Sequence, residues 1–237
     1  LVATFLGAHI MPPEHRDNRE RYIGLLCHVL IPKIAQQGLA RFCDAFVEQG
    51  AYSIDEAREI FSAATAHGLG IKVHADQLSD GSGAELAAEF NAVSAEHLEY
   101  VSEAGIRALA GSGTVAVSLP LASLYLAERY LPARNLIAAG VPVAVATDFI
   151  PGSAPSYHLP LAMTLACLNQ AMTPQESLMG ATSVAARAID RQDRVGSLLP
   201  GYQADLAIID APSLNHWLYH FAPNACVRVL KRGRWAV

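Results

Sequence analysis

One segment organises this sequence: Gly70-Ile71-Lys72-Val73-His74-Ala75-Asp76-Gln77. An apolar, β-prone run ends there in a histidine, a carboxylate and an amide, and glycines follow at positions 81 and 83. Two later segments have the same form, Ala92-Val93-Ser94-Ala95-Glu96-His97 and Val143-Ala144-Val145-Ala146-Thr147-Asp148. A lone histidine in such a place is more often a hydrogen-bonded core residue than a ligand. Three polar strand ends at the same phase of one repeating pattern favour a metal site instead.

Short apolar runs alternate with amphipathic segments along most of the chain, giving about six β-then-α units. Such strands predict a parallel sheet that helices cover. A doubly wound sheet and a barrel both fit, but no Gly-x-Gly-x-x-Gly motif opens a helix to support a dinucleotide fold. Polar residues at the carboxyl ends of strands are typical of barrels, so we predict an α/β, TIM-like (β/α)8 barrel. The predicted strands are Val2–Leu6, Ala40–Val47, Ile71–His74, Ala92–Ala95, Thr114–Leu119 and Val143–Ala146.

Local signals also predict where helices begin and end. The apolar spacing predicts a helix over residues 16–37, with a kink or break at Pro32 and a stop at Gly38. Capping boxes, in which a hydroxyl and a later Glu satisfy each other's backbone donors, are predicted at Ser53–Glu56 and Ser82–Glu85. Thr173-Pro174-Gln175-Glu176 is expected to open the last helix, because Pro is favoured at its first position and Glu at its third.

The character of the sequence changes after Arg194. We predict that residues 1–194 form a partial barrel and that residues 195–237 supply β-strands to a small composite β-sandwich domain. Leu1 lies within an apparent strand, without a lead-in or an initiator Met. The sequence is therefore expected to be the C-terminal part of a longer protein.

Composition excludes several classes of partner. The formal charge of −5 comes without a basic patch, which argues against nucleic acid. The chain is 52% hydrophobic, but its apolar runs fall short of the ~20 residues of a membrane helix, so no membrane partner is expected. Four scattered cysteines without Cys-x-x-Cys spacing indicate reduced, mostly buried thiols, and no signal peptide is expected. We expect a cytoplasmic protein.

The polar strand ends indicate hydrolytic metal chemistry. Imidazole and carboxylate groups are the usual ligands of catalytic zinc or iron, and such a metal lowers the pKa of bound water. Asp148 could take a proton from that water and return it to a leaving nitrogen. His97 could ligate a second metal, or hydrogen-bond the water and polarise a carbonyl. With His74 these residues are too few for a complete site, so further ligands are expected elsewhere.

The same residues resemble the amidohydrolase superfamily. The resemblance is carried by the ends of three strands and by the return from barrel to β-sandwich: His74–Asp76, Ala95–Tyr100, Ala146–Phe149 and Val195–Asp210. In this superfamily strands five, six and eight supply His, His and Asp, and strand one supplies a His-x-His pair. The resemblance therefore implies a metal-dependent hydrolase barrel.

Narrower matches resemble one family within it, the imidazolonepropionases, from Thr4 to Arg234. They are Thr4–His9, Ile31–Lys33, Lys72–Gln77, Gly83–Ala87 and Asp148–Ser153. This resemblance implies hydrolysis of the cyclic amide C–N bond of 4-imidazolone-5-propanoate to N-formimino-L-glutamate, in histidine degradation. It also implies a small-molecule substrate and a homodimer.

The resemblance assigns roles by position. His74 and Asp148 would be ligands of one Zn or Fe ion per subunit. The implied catalytic residues are Asp148, His97 and Gln77, with His97 near the metal water. Substrate contacts are implied for His9, Gln77, Gly152 and Ser153.

Two departures from the family pattern keep alternatives open. Ile150 stands where the family usually has Asn, and the His-x-His pair is absent. The isolated chain is therefore expected to bind metal weakly and to be inactive. The alternatives are another cyclic amidohydrolase or aminohydrolase of the superfamily, and a metal-free barrel that only binds a ligand or partner.

Overall fold

The structure is a computed structural model that describes residues 1–221 and 223–236. Residues 222 and 237, both within the predicted 195–237 segment, lie outside the described residues. The chain divides into two compact units. The first comprises Leu1–Ala116 with Ala138–Val141, and the second comprises Val117–Ile137 with Pro142–Val237. This division does not test the boundary predicted at Arg194, which stays a prediction.

The first unit repeats a strand followed by helical structure. Strands β1 to β4 lie side by side in chain order, and each strand pairs in parallel with the next. The strands are β1 Thr4–Ala8, β2 Phe42–Val47, β3 Gly70–Ala75 and β4 Ser94–His97, followed by the start of β5 Val115–Ser118. The helices are α1 Arg19–Leu25, α2 Ile31–Gln37, α3 Ile54–Ala66, α4 Gly83–Glu89 and α5 Glu103–Ser112, with a 3-10 turn at Pro13–His15.

Alternation along β3 separates an apolar face from a polar one. Ile71, Val73 and Ala75 are buried, whereas Lys72 and His74 point to the opposite face. The apolar face belongs to the core, and α4 packs against β3 just as α3 packs against β2. The polar face carries Lys72 and His74, whose side chains are available to bind a ligand or to take part in catalysis.

The helix predicted over residues 16–37 is interrupted. Between α1 and α2 lies a π-helical turn, Leu26–Leu30, in which the Ile31 N–H donates to the Leu26 carbonyl. Pro32 cannot donate to the preceding turn and its ring crowds it, so the helix widens by one residue there. The predicted stop is confirmed, because Gly38 adopts a left-handed conformation with φ of 63°.

One of the two predicted capping boxes is wrong. That at Ser53–Glu56 is confirmed, and the helix predicted to open at Thr173 does begin there, with a capping box between Thr173 and Glu176. Ser82 instead adopts a left-handed conformation with φ of 57°, and its side chain makes no capping bond. The start of α4 is capped from β3: the Asp76 carboxylate accepts hydrogen bonds from the N–H groups of Gly83 and Ala84 at 2.9 and 3.0 Å.

The second unit continues the repeat and adds a small antiparallel sheet. The end of β5 lies beside β6, and β7, β8 and β9 pair antiparallel in that order. The strands are β6 Val143–Val145, β7 Leu206–Ile209, β8 Cys226–Lys231 and β9 Arg234–Trp235. The helices are α6 Pro120–Leu126, α7 Ala133–Ala138, α8 Leu159–Gln170, α9 Pro174–Ala181, α10 Ser183–Ala188 and α11 Leu214–Tyr219. α9 is therefore not the last helix; the six-residue α10 and α11 are too short for a clear periodic signal.

Consecutive strands that follow chain order and alternate with helices have the topology of a TIM-like barrel. Six of its strands are present, as predicted. Within residues 1–221 and 223–236, none of the helices is both long and apolar enough to cross a bilayer.

All four cysteines are free. Burial raises the pKa of Cys27 to about 11 and that of Cys43 to about 12, so both remain neutral thiols.

Glu176 provides a stability prediction for the second unit. Its carboxylate accepts two hydrogen bonds from Arg134, at 3.0 and 2.8 Å, and one from the Thr173 N–H at 2.8 Å. The pKa of Glu176 is lowered from 4.5 to about 2, chiefly by the hydrogen bonds from the Arg134 guanidinium. We expect Glu176→Gln to lower the free energy of unfolding by about 1 kcal/mol at pH 7.

A folded-state pKa below the unfolded value means that this stabilisation is complete above pH ~4.5 and is lost as pH falls towards 2. The difference in free energy of unfolding between wild type and Glu176→Gln, measured by urea denaturation, should therefore decrease as the pH falls from 4.5 to about 2. Glu103→Gln is a matched control, because it removes a carboxylate from an exposed ion pair in which Glu103 Oε2 lies 3.6 Å from Arg107 Nη1. An equal loss in both variants, or a loss independent of pH, would contradict the prediction.

Candidate active site

Three histidine rings gather at the carboxyl ends of strands in the first unit. His9 directly follows β1, His74 is near the end of β3, and His97 ends β4. The ring centroids of His9 and His74 are 4.8 Å apart, and those of His74 and His97 are 5.5 Å apart. His9 also stacks on Phe46 of β2 at 5.4 Å. The structure therefore brings together three of the predicted site residues.

His97 joins this cluster because the backbone turns sharply. In the parallel register His74 lies opposite Glu96, so a regular strand would direct His97 to the opposite face. Instead His97 and Leu98 adopt φ of 76° and 66°, a left-handed conformation that is unfavourable for residues other than glycine. Two hydrogen bonds hold the turn against β3: Leu98 N–H to the Ala75 carbonyl at 2.9 Å, and Tyr100 N–H to the Asp76 carbonyl at 2.8 Å.

Asp44 orients His74. This aspartate is 2% exposed and lies in the middle of β2. His74 Nδ1 is 3.0 Å from Asp44 Oδ1, and the His74 backbone N–H donates to the same oxygen at 3.2 Å. When Nδ1 carries the proton, the ring donates to Asp44 and Nε2 is left with a lone pair. Carboxylate–histidine pairs of this kind fix the tautomer of histidines that bind metals.

Glu96 completes a group of donors that fits a metal ion. Single ligand atoms of Asp44, His74 and Glu96 all lie within 4.8 Å of one another. Glu96 Oε1 accepts from Lys72 Nζ at 2.6 Å and from Ser94 Oγ at 2.5 Å. Glu96 Oε2 is buried without a hydrogen-bond partner among the described residues. The His74 imidazole and the buried free oxygen of Glu96 suit a divalent cation, with Asp44 supporting the ring and Lys72 offsetting part of the negative charge.

The loop after β3 carries Gln77, which is half-buried. Its neighbour Asp76 is fully buried, with φ of 48°. Burial raises the pKa of Asp76 to about 6, and hydrogen bonds from the backbone N–H groups of Gly83, Ala84 and Gly81 oppose part of that rise.

The remaining predicted residues lie in the second unit. Asp148 follows β6 and adopts φ of 53°. Ser153 Oγ donates to Asp148 Oδ2 at 3.5 Å, and a bridge between Ile150 and Ala154 closes the loop that carries Gly152. The roles predicted for Asp148, Gly152 and Ser153 stay predictions.

Sequence reasoning missed Asp44 and Glu96. Asp44 could have been found from the strand pattern, because a carboxylate inside the otherwise apolar strand Phe42–Val47 is costly to bury unless polar partners satisfy it. Glu96 shares a face with His74 only through the register of two strands that are distant in sequence. That register cannot be read from either strand alone.

The sequence model of the amidohydrolase family matches residues 44–236, most of the chain. The chain belongs to the amidohydrolase family.

Within this family, the chain is similar to imidazolonepropionases. It is 48% identical to that of Geobacillus thermodenitrificans over 237 residues, which cover 100% of this chain and 56% of that protein. It is 46% identical to that of Treponema denticola over 235 residues, which cover 99% of this chain and 57% of the relative. The chain thus spans little more than half the length of these relatives.

Two solved structures share the fold. An adenosine deaminase from Xanthomonas campestris with bound zinc superimposes with a TM-score of 0.77 at 19% identity, covering 99% of this chain and 60% of that one. A 5-methylcytosine deaminase from Klebsiella pneumoniae has a TM-score of 0.73 at 19% identity, covering 88% of this chain and 58% of that one. These likenesses support the barrel assignment.

Proposed function

We propose that the whole protein is an imidazolonepropionase, which hydrolyses the cyclic amide C–N bond of 4-imidazolone-5-propanoate to give N-formimino-L-glutamate. The observation that supports this most directly is the cluster of His9, His74 and His97 at the strand ends, in a chain nearly half identical to imidazolonepropionases. These three histidines, of which His74 is hydrogen-bonded to a carboxylate, are suited to binding a small, polar substrate with a nitrogen-containing ring.

One zinc or iron ion per subunit is proposed as cofactor. His74 would hold it through Nε2, with Asp44 orienting the ring and Glu96 nearby, and Asp148 is proposed as a further ligand from the family resemblance. When bound, such an ion polarises a carbonyl and lowers the pKa of water.

The chain's own residues would then position the substrate and move protons. Asp148 is proposed as the general base that takes a proton from water and passes it to the departing ring nitrogen. Buried His97, 3.6 Å from Glu99, is proposed to hydrogen-bond the reacting carbonyl or water. His9, Gln77, Gly152 and Ser153 are proposed to contact the ring and the carboxylate of the substrate. Gln77 can donate and accept hydrogen bonds but cannot act as a base.

Two further features are proposed from the resemblance alone: assembly as a homodimer and a cytoplasmic location.

The proposal is tested by measuring metal content and substrate turnover together. The whole protein should contain about one Zn or Fe per chain by elemental analysis, and the imidazolone absorbance should be lost on incubation with it. Metal without ring opening would contradict the proposed substrate and favour another cyclic amide, with Ile150 as the altered contact. Absence of both metal and turnover would favour the non-catalytic barrel.

A further inference from the structure

The loop from Gln77 to Ser82 is held from two sides by buried carboxylates on different strands. Glu48 directly follows β2, and Asp76 directly follows β3. They are only 6% and 0% exposed. Buried carboxylates are costly unless hydrogen bonds satisfy them. Glu48 accepts mainly from this loop, whereas Asp76 accepts from Gly81 of the loop and from the first two residues of α4.

Glu48 holds the first half of the loop. Its Oε2 accepts from the N–H groups of Leu78 and Ser79 at 2.8 and 3.2 Å, and its Oε1 accepts from the Ser79 hydroxyl. The Gln49 N–H also donates to Oε1 at 3.0 Å. Burial by itself would raise the pKa of Glu48, but the bonds from Ser79, Leu78 and Gln49 outweigh it and lower the pKa. The group is therefore a carboxylate at neutral pH.

Asp76 holds the end of the loop at Gly81 and the start of α4. Its Oδ1 accepts from Gly81 and Gly83 at 3.1 and 2.9 Å, and its Oδ2 accepts from Ala84 at 3.0 Å. Its carbonyl accepts from Tyr100 N–H, within the turn that brings His97 into the cluster. Asp76 thus connects the loop to the turn after β4.

We propose that Glu48 and Asp76 are positioning residues that fix the Gln77–Ser82 loop and so set where Gln77 meets the substrate. This rests on the proposed function, since it gives Gln77 a substrate to contact. Gln77 lies at the start of the loop, next to Asp76 and one residue before the first amide that Glu48 holds. Neither carboxylate touches the substrate in this proposal; each acts through the backbone of the loop.

The first test is amide hydrogen exchange of this chain. In Glu48→Gln, an NH2 group replaces one of the two acceptor oxygens beside the Leu78 and Ser79 donors. In Asp76→Asn, one of the oxygens that holds Gly81, Gly83 and Ala84 is lost. We expect protection of the Leu78 and Ser79 amides to fall about tenfold or more in Glu48→Gln, with β2 and β3 unchanged. The Gly81, Gly83 and Ala84 amides should lose protection to a similar extent in Asp76→Asn. Asp80→Asn is the matched control, because Asp80 is exposed in the same loop and accepts one long hydrogen bond there, from the Ser82 N–H at 3.4 Å, so the Ser82 amide is left out of the comparison. Unchanged loop protection in both variants would overturn the proposal.

The second test is steady-state kinetics of the whole protein with 4-imidazolone-5-propanoate. Glu48→Gln should raise KM about tenfold with a smaller change in kcat, and should add little to Gln77→Ala because both act through one contact. An effect on KM no larger than that of Asp80→Asn, or full additivity with Gln77→Ala, would overturn the role in positioning Gln77. If the wild type has no turnover, the proposed function fails, and the exchange experiment still decides whether the two carboxylates hold the loop.

Discussion

Replacing His74 with alanine is expected to remove metal binding. His74 supplies the imidazole of a group with Asp44 and Glu96 whose ligand atoms all lie within 4.8 Å of one another. Changes to groups that only orient a ligand already cost about 10–100-fold in metal affinity, so loss of the ligand itself should cost more than about 100-fold. The measurement is the Zn²⁺ dissociation constant of the chain, by competition with a chromophoric chelator.

Asp44→Asn gives a graded comparison. The amide keeps a similar shape but is a weaker partner for His74 Nδ1–H, so the affinity for Zn²⁺ should fall by about 10–100-fold. His67→Ala is the control, since His67 is exposed at the end of α3 and should leave the affinity unchanged. Retained affinity in His74→Ala, or equal losses in His74→Ala and His67→Ala, would show that the metal binds elsewhere.

Gly83→Ala is expected to destabilise the first unit by about 2–3 kcal/mol. A Cβ at this position would lie 2.7 Å from the Ala75 Cβ and 3.0 Å from the Ala75 Cα. Because part of the obstruction is backbone, a rotamer change cannot relieve it. The start of α4 would have to move away from β3 and from Asp76, which caps it. Urea denaturation measures the loss.

Gly111→Ala is the matched control for this substitution. Gly111 lies in α5, is exposed, and a Cβ there would meet nothing within 4 Å. Alanine is the better helix former, so this variant should be more stable by up to about 1 kcal/mol. Equal effects of the two substitutions would show that contact with Ala75 does not decide the outcome.

Local patterns were sufficient to predict the architecture. Each strand needs a run of apolar residues, and each helix a periodic face with start and stop signals, and all of these are properties of neighbouring residues. The box at Ser53–Glu56, the helix start at Thr173 and the stop at Gly38 formed as predicted. The box at Ser82–Glu85 failed because Asp76, six residues before Ser82, captured the free N–H groups of α4.

In the candidate site, too, some features follow from local sequence and others from contacts between distant segments. The sequence alone determined that His74 and His97 would lie at strand ends, because a polar residue that ends an apolar run can be recognised within one segment. Only the tertiary structure decided that Asp44 and Glu96 join His74, since the parallel register of β2, β3 and β4 sets which side chains share a face. It also decided the left-handed turn that returns His97 to the cluster. Hydrogen bonds to the preceding strand hold that turn, and such long-range contacts have no signature within a single segment.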